Sequence, residues 1–136
     1  MNTNIYARVV QYYETDKMGV VHHSKYFCWF EEARTDLMAK NGILYRDMEA
    51  MGVMMPVTKA DCKYKKGAKY FEKVYIHTRV EKFGGAKMVF AYDVKNQEGD
   101  TLVTGSTEHC FVDDNFAPVN LKKYLPSLYE KLEGVV

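Results

Sequence analysis

Hydrophobic residues recur along this chain with two periods, and the change from one to the other falls near Gly52. Ahead of it, Tyr26, Trp29, Phe30, Ala33, Leu37 and Met38 keep helical spacing within Ser24 to Lys40, and such a stripe marks the buried side of an amphipathic helix. Phe27 and Cys28 make the first turns apolar nearly all round, so the pattern predicts an enclosed helix. Ser24 is placed to cap it and Gly42 to stop it: a hydroxyl can accept from unpaired first N–H groups, and glycine tolerates the left-handed turn that ends a helix. The β-branched and aromatic run from Ile5 to Tyr13 predicts a first strand that ends at the polar Glu14, Thr15 and Asp16. Leu44 to Met51 predicts a short second helix.

Past Gly52 the apolar residues alternate. Ala60, Cys62 and Tyr64 alternate with Lys59, Asp61, Lys63 and Lys65, then Val74, Ile76, Thr78 and Val80 with Tyr75, His77, Arg79 and Glu81. Met88, Phe90, Tyr92 and Val94 continue the series, and period two predicts half-buried strands. Asn96 to Asp100, containing Gly99, predicts a hairpin turn before a last long strand from Thr101 to Val112; Gly67 and Gly84-Gly85 mark the other turns. Pro126 limits a closing helix over Leu121 to Leu132 to a late start or a kink. One strand, one long apolar helix and then four antiparallel strands predict an α+β fold in which a curved sheet wraps a central helix, with residues 1–136 as a single domain. The open edges of such a sheet invite a second copy, so a homo-oligomer is expected.

Charge narrows the function classes. Lys and Arg total 19 against 18 for Asp and Glu, and a balance so near zero creates no broad field for nucleic acid or an acidic membrane. Cys28, Cys62 and Cys110 are odd in number and form no Cys-x-x-Cys pair, which argues against a disulfide framework or a zinc site and fits reduced thiols in a cytoplasmic protein. The first ten residues lack the basic and apolar regions of a leader, and no segment approaches the roughly 20 apolar residues of a membrane span.

The chemistry concentrates just before the long helix. Asp16 precedes His23 by seven residues, with Gly19 between them to let the chain turn back. A helix start carries unpaired backbone N–H groups and the positive end of the macrodipole, so it can hold a developing oxyanion. A carboxylate and an oxyanion site are the parts that acyl transfer needs.

Tyr12, Thr15-Asp16, Gly19-Val20-Val21, His23, Tyr26 and Phe30-Glu31-Glu32-Ala33-Arg34, taken with the order of elements, resemble the hot-dog fold acyl-CoA thioesterases of the 4-hydroxybenzoyl-CoA thioesterase family. The resemblance spans nearly the whole chain, with its motif in the first forty residues. It implies that Asp16 is the catalytic carboxylate and that the backbone N–H at His23 polarises the thioester carbonyl. Tyr12 takes the place of a site tyrosine, and Gly19, Val20, Val21 and Ser24 contact substrate. The 4-hydroxybenzoyl-specific branch carries an aromatic residue where His23 stands, so the chain is similar to the broader bacterial acyl-CoA group. The resemblance also implies a homodimer or homotetramer acting without a cofactor on acyl-CoA, or on acyl carrier protein thioesters.

Each feature has a plainer reading. His22 and His23 are adjacent, so their side chains diverge, and no third ligand stands at metal-site spacing. Glu31 and Glu32 lie a turn or more into the helix and read as structural pairs with Arg34 or a neighbouring chain. Tyr26, Trp29 and Phe30 read as core, and Met54, Met55 and Met88 as adaptable filler or acyl-pocket lining. Lys59, Lys63, Lys65, Lys66, Lys69 and Lys73 read as a solvated face or, alternatively, as cations for the phosphates of coenzyme A, which the turn at Lys82 and Gly84-Gly85 could also hold. Two competing functions remain at this point: an acyl-thioester hydratase or dehydratase, whose helix motif is absent here, and a non-catalytic acyl-CoA binding module.

Overall fold

The long helix needs an apolar surface to lie on, and the computed structural model, which describes residues 3–136, supplies it as one face of a curved sheet. The strands are β1 (Asn4–Val9), β2 (Val57–Tyr64), β3 (Lys73–Phe83), β4 (Lys87–Lys95) and β5 (Thr101–Cys110). The helices are α1 (Lys25–Lys40), α2 (Tyr45–Ala50), α3 (Leu121–Tyr124) and α4 (Pro126–Glu133). All neighbouring strands are antiparallel, in the order β1-β3-β4-β5-β2. This is the α+β architecture, a curved antiparallel sheet around a long helix, that the order of elements predicts.

Register puts alternate residues of all five strands on the face that meets α1. One row runs Tyr6, Ile76, Val94, Val103, Tyr64, and the next runs Asn4, Thr78, Tyr92, Gly105, Cys62. Phe30 of α1 stacks on Tyr92 at 4.3 Å between ring centroids and 7° between planes. The ring also covers Gly105, where an added Cβ would stand 2.6 Å from Phe30 Cε2 and from the Asp61 carbonyl oxygen. Absence of a side chain there is what lets the helix settle into the concave face. Trp29, Phe30, Ala33 and Leu37 are buried against the sheet.

Several local expectations change. The first strand stops at Val9, and Tyr12–Glu14 forms one turn of 3-10 helix with Glu14 turned inward. Helix α1 is not enclosed: Cys28, Glu31 and Thr35 face outward, because the sheet covers one side only. Ser24 does not cap α1 with its hydroxyl; its backbone is already helical, at φ −72° and ψ −21°. Strand β2 is not half-buried, since all its residues except Cys62 are exposed. It is an edge strand whose outer face none of the described residues covers. The last strand ends at Cys110, and Pro126 divides the closing segment into α3 and α4 by taking the first helical position of α4, where its missing N–H costs nothing. Gly42, at φ +75°, ends α1 as expected.

A polar chain crosses the core. Arg34 of α1 donates to Tyr45 Oη at 3.0 Å and to Tyr92 Oη at 3.1 Å, Tyr92 Oη lies 2.7 Å from Thr107 Oγ1, and His109 Nε2 lies 2.8 Å from the same hydroxyl. Burial, together with the nearby Arg34 charge, pushes His109 down to about 4 despite its contact with the Met55 carbonyl. It is therefore neutral in the folded protein at physiological pH.

Two outcomes are expected. Gly105→Ala should lower the urea midpoint by the equivalent of about 1–3 kcal/mol without changing the slope of the transition, as overpacking of a filled core does. Below its ordinary pKa of about 6.5 His109 binds a proton in the unfolded chain but not in the folded one. Stability should therefore fall as pH drops from about 6.5 toward about 4, by up to about 1.4 kcal/mol per unit. Melting temperature measured across that window should slope less in His109→Gln than in the parent; equal slopes would place the linkage elsewhere.

Candidate active site

The loop between the 3-10 turn and α1 is short, and its geometry follows from a few bonds. Asp16 N–H donates to the Val20 carbonyl at 2.9 Å and Gly19 N–H to the Asp16 carbonyl at 3.0 Å, while Thr15 and Val21 form an antiparallel bridge. Gly19 stands at φ +84°, a left-handed conformation that closes this tight turn. The Asp16 carboxylate is fixed by its Oδ1, which accepts the Met18 N–H at 2.8 Å. The bond is a local Asx turn, and among the described residues Oδ2 has no hydrogen-bond partner.

Glu14 anchors the loop from below. Its carboxylate accepts Trp29 Nε1–H at 2.6 Å, Arg8 Nη1–H at 2.7 Å and the Gln11 N–H at 2.9 Å, and its carbonyl accepts the His22 N–H at 2.8 Å. Burial pushes the Glu14 carboxyl up, and the bonds from Arg8, Trp29 and the Gln11 amide outweigh it, holding the group below the usual carboxylate range. Arg8 also donates to Glu32 at 2.9 Å and lies 4.8 Å above the Trp29 ring. One carboxylate thus ties β1, the 3-10 turn and α1 together.

From the other side the loop meets the end of β2. Val21 N–H donates to the Ala68 carbonyl at 2.8 Å, and Ala68 N–H donates to Tyr26 Oη at 3.3 Å. Val20 packs so closely over Gly67 that an added Cβ there would stand 2.7 Å from Val20 Cγ1. Between the two segments opens a cavity of about 280 Å³ lined by Asp16, Val20, Val21 and His23 on one side and Tyr26, Tyr64, Lys65 and Lys66 on the other. Tyr64 Oη donates to the His23 carbonyl at 2.9 Å. Partial burial and the adjacent Cys62 push the Tyr64 phenol up to about 12, so it remains a donor.

The start of α1 has one open donor at this cavity. Lys25 N–H donates to the His22 carbonyl at 2.9 Å, and Ser24 N–H donates to His22 Nδ1 at 3.2 Å. The His23 N–H has no partner among the described residues. A helix start with a free N–H, a carboxylate with a free oxygen and two lysines at the rim can bind an anionic ligand and stabilise an oxyanion.

Asp16, Val20, Val21 and His23 thus line one cavity, while the other candidates lie apart from it. Gly19 shapes the turn without lining the cavity. Ser24 Oγ lies 2.8 Å from His22 Nδ1, on the helix side of the loop. Tyr12 is 77% exposed and stands edge-on to Tyr70 with ring centroids 5.6 Å apart. Tyr64 and Glu14 had no motif to mark them. The signal for Tyr64 was its place in the alternation with Cys62, but which strand would border β2 was not local information. Among the described residues no three His, Cys, Asp or Glu side chains converge to hold a metal, and no helix is long and apolar enough to cross a membrane.

Comparison with known proteins places this geometry in a family. The thioesterase-like superfamily model matches residues 10–127. The chain is 39% identical over 126 residues to a putative acyl-CoA thioesterase, YneP, of Bacillus subtilis, covering 90% of this chain and 91% of the relative. It is 31% identical over 104 residues to the acyl-CoA thioester hydrolase YbgC of Escherichia coli, covering 75% and 78%. Among solved structures, a DHNA-CoA thioesterase from Staphylococcus aureus superposes with a TM-score of 0.94 at 41% identity, covering 99% of this chain and 91% of that one.

Replacing Glu14 by Gln keeps the shape and removes the charge. Glu14→Gln should cost about 1.5–3 kcal/mol, the range for hydrogen bonds to a charged group, read from the urea midpoint. Hydrogen exchange should accelerate at the His22 amide, which the Glu14 carbonyl holds; unchanged exchange there would separate the loop from the anchor.

Proposed function

The chain belongs to the thioesterase-like superfamily, and from that premise we propose that it hydrolyses an acyl-CoA thioester to the free acid and coenzyme A, using Asp16 and the N–H of His23. The observation that carries the reading is their convergence on one cavity, with an unbonded carboxylate oxygen and an unbonded helix-start N–H. Relatives named as acyl-CoA thioesterases and thioester hydrolases support the substrate class.

In this reading the thioester carbonyl oxygen points at the His23 N–H. Asp16 takes a proton from a water whose oxygen adds to the carbonyl carbon, or adds to it directly and is released by water in a second step. Negative charge collects on the carbonyl oxygen, where a preorganised donor is typically worth about 3–4 kcal/mol. Collapse of the tetrahedral species breaks the C–S bond and the coenzyme A thiolate leaves. A thiolate is a good leaving group, so a second acid is unnecessary. Tyr64 positions the site by holding the His23 carbonyl, and with it the following peptide. Lys65 and Lys66 at the rim suit the phosphates of coenzyme A or the carrier arm of acyl carrier protein. The position of Tyr12, on the exposed face beside Tyr70, fits a site completed by a second copy. The open edge of β2 is where we place that copy, giving a homodimer or a homotetramer built from it, and three free, separated thiols suit a cytoplasmic setting.

Asp16→Asn should lower thiol release from acyl-CoA by roughly 10²- to 10⁴-fold with the fold intact. His23→Ala should retain turnover to within about tenfold, because the backbone donor survives the change. Near-normal hydrolysis by folded Asp16→Asn would reject the role of the carboxylate. Single turnover in ¹⁸O water tests direct attack: label found in Asp16 means that the carboxylate added to the carbonyl and that water then opened the anhydride at the Asp16 carbon.

A further inference from the structure

Backbone bonds carry the first turn of α1 back to His22. Lys25 N–H donates to the His22 carbonyl at 2.9 Å, and the Ser24 backbone is already helical. His22 therefore stands where a capping residue stands, with its carbonyl accepting the first bond of the helix. A capping side chain also accepts an N–H two or three residues on, and His22 Nδ1 accepts the Ser24 N–H at 3.2 Å. Ser24 has the side chain that usually caps, but it comes two residues too late. Its hydroxyl lies 2.8 Å from the same His22 nitrogen. A backbone N–H can only donate, so Nδ1 presents a lone pair and the ring proton sits on Nε2. The ring is held from both sides. His22 N–H donates to the Glu14 carbonyl at 2.8 Å, and the His23 ring stacks on it at 4.1 Å between centroids and 30° between planes.

This cap decides which amide is left for a ligand. The imidazole takes the Ser24 N–H and the His22 carbonyl takes the Lys25 N–H, which leaves the His23 N–H open. A helix end that loses its cap frays, and its first peptides then point in several directions. We propose that His22 is a positioning residue for thioester hydrolysis, a role that rests on the hydrolase reading and deepens it. Its Nδ1 lone pair, by holding the Ser24 N–H, fixes the first turn of α1 so that the His23 N–H meets the carbonyl oxygen as charge develops there. Tyr64 secures the other side of the same residue through the His23 carbonyl. A donor aimed at developing charge counts in the transition state, so loosening it lowers kcat and leaves KM nearly unchanged.

The two side-chain amides separate the two ring nitrogens, since asparagine reaches the place of Nδ1 and glutamine that of Nε2. His22→Asn should keep kcat within about twofold of the parent, because asparagine is among the best capping residues. His22→Gln and His22→Ala should each lower kcat about five- to tenfold, the equivalent of a lost cap, with KM within about twofold. Hydrogen exchange at the Ser24 amide should accelerate by a similar factor in the Gln and Ala variants but not in Asn. In the full chain labelled with ¹⁵N-histidine, His22 should show a bare Nδ1 and a protonated Nε2. Rescue by Gln but not by Asn would move the effect to Nε2, and equal loss in Asn and Ala would assign it to the ring as a whole. Either result, unchanged kcat in folded His22→Ala, or a protonated Nδ1 would overturn the proposal. Where His22→Ala does not fold, the contrast between Asn and Gln decides alone. A parent chain that releases no thiol from acyl-CoA would refute the hydrolase reading and the catalytic role with it, while the nitrogen spectrum and Ser24 exchange still decide whether the ring caps the helix.

Discussion

The buried carboxylate of Glu14 is the contact on which the rest of the functional region depends. It lies between β1 and α1 and accepts from the guanidinium of Arg8, the indole of Trp29 and the amide of Gln11, so most of its acceptor sites are filled. A carboxylate this buried is tolerated only when so satisfied, because its desolvation is otherwise too costly. Once satisfied it is rigid. The same residue's carbonyl receives the His22 N–H, so α1, through Trp29, and the far end of the Asp16 loop are held by one residue. The loop then has few ways to move: its near end is the 3-10 turn containing Glu14, and its middle is clipped to Ala68 through Val21.

Placing α1 on the sheet solves a packing problem and creates the site as a by-product. Phe30 can lie flat on Tyr92 only because Gly105 offers no side chain beneath it. That docking fixes the height of the helix start relative to β2. Strand β2 reaches the sheet by crossing to the far edge, next to β5, so Tyr64 and the lysines after it arrive beside His23 although some forty residues separate them in sequence. The cavity is therefore a seam between a loop and a strand end that meet only when the order β1-β3-β4-β5-β2 is complete. Its polar groups stand on well-anchored backbone, which is the preorganisation that the proposed hydrolysis would need.

Features governed by short-range periodicity were legible in the sequence. The stripe from Tyr26 to Met38 marks the buried side of α1, and the alternation in Val74 to Val80 and Met88 to Val94 marks the strands that carry the concave face. Asp16 and His23 were legible as a carboxylate near a helix start, and the family motif sharpened them. What the sequence did not reveal depends on partners far along the chain. Glu14 reads as the polar end of a strand, and only Arg8 and Trp29 folded against it turn it inward. Ser24 reads as a capping residue, but His22 supplies the acceptor for its N–H, and that requires the loop to bend back first. In β2 the alternation of Ala60, Cys62 and Tyr64 with charged residues is real, yet at the sheet edge α1 only partly covers the strand, so Cys62 alone is withdrawn from solvent.

The two ends of α1 meet different chemistry because the helix crosses the sheet from an open loop to a closed core. At its start the backbone supplies the polarity: an unpaired N–H, the positive end of the dipole, and a neighbouring carboxylate with water access. Half-way along, a side chain supplies it: Arg34, surrounded by phenols, Thr107 and a neutral His109. A neutral histidine at that point matters, since a charged one would repel the guanidinium nearby, and burial keeps it deprotonated. The polar chain is consequently a net of dipoles turned toward one fixed cation, which stiffens the middle of the helix on β4 and β5 without a buried ion pair. The His23 N–H therefore stands between two anchors, the Glu14 carbonyl that holds the adjacent His22 N–H and the contacts of Phe30 and Arg34 that seat the same helix on the sheet.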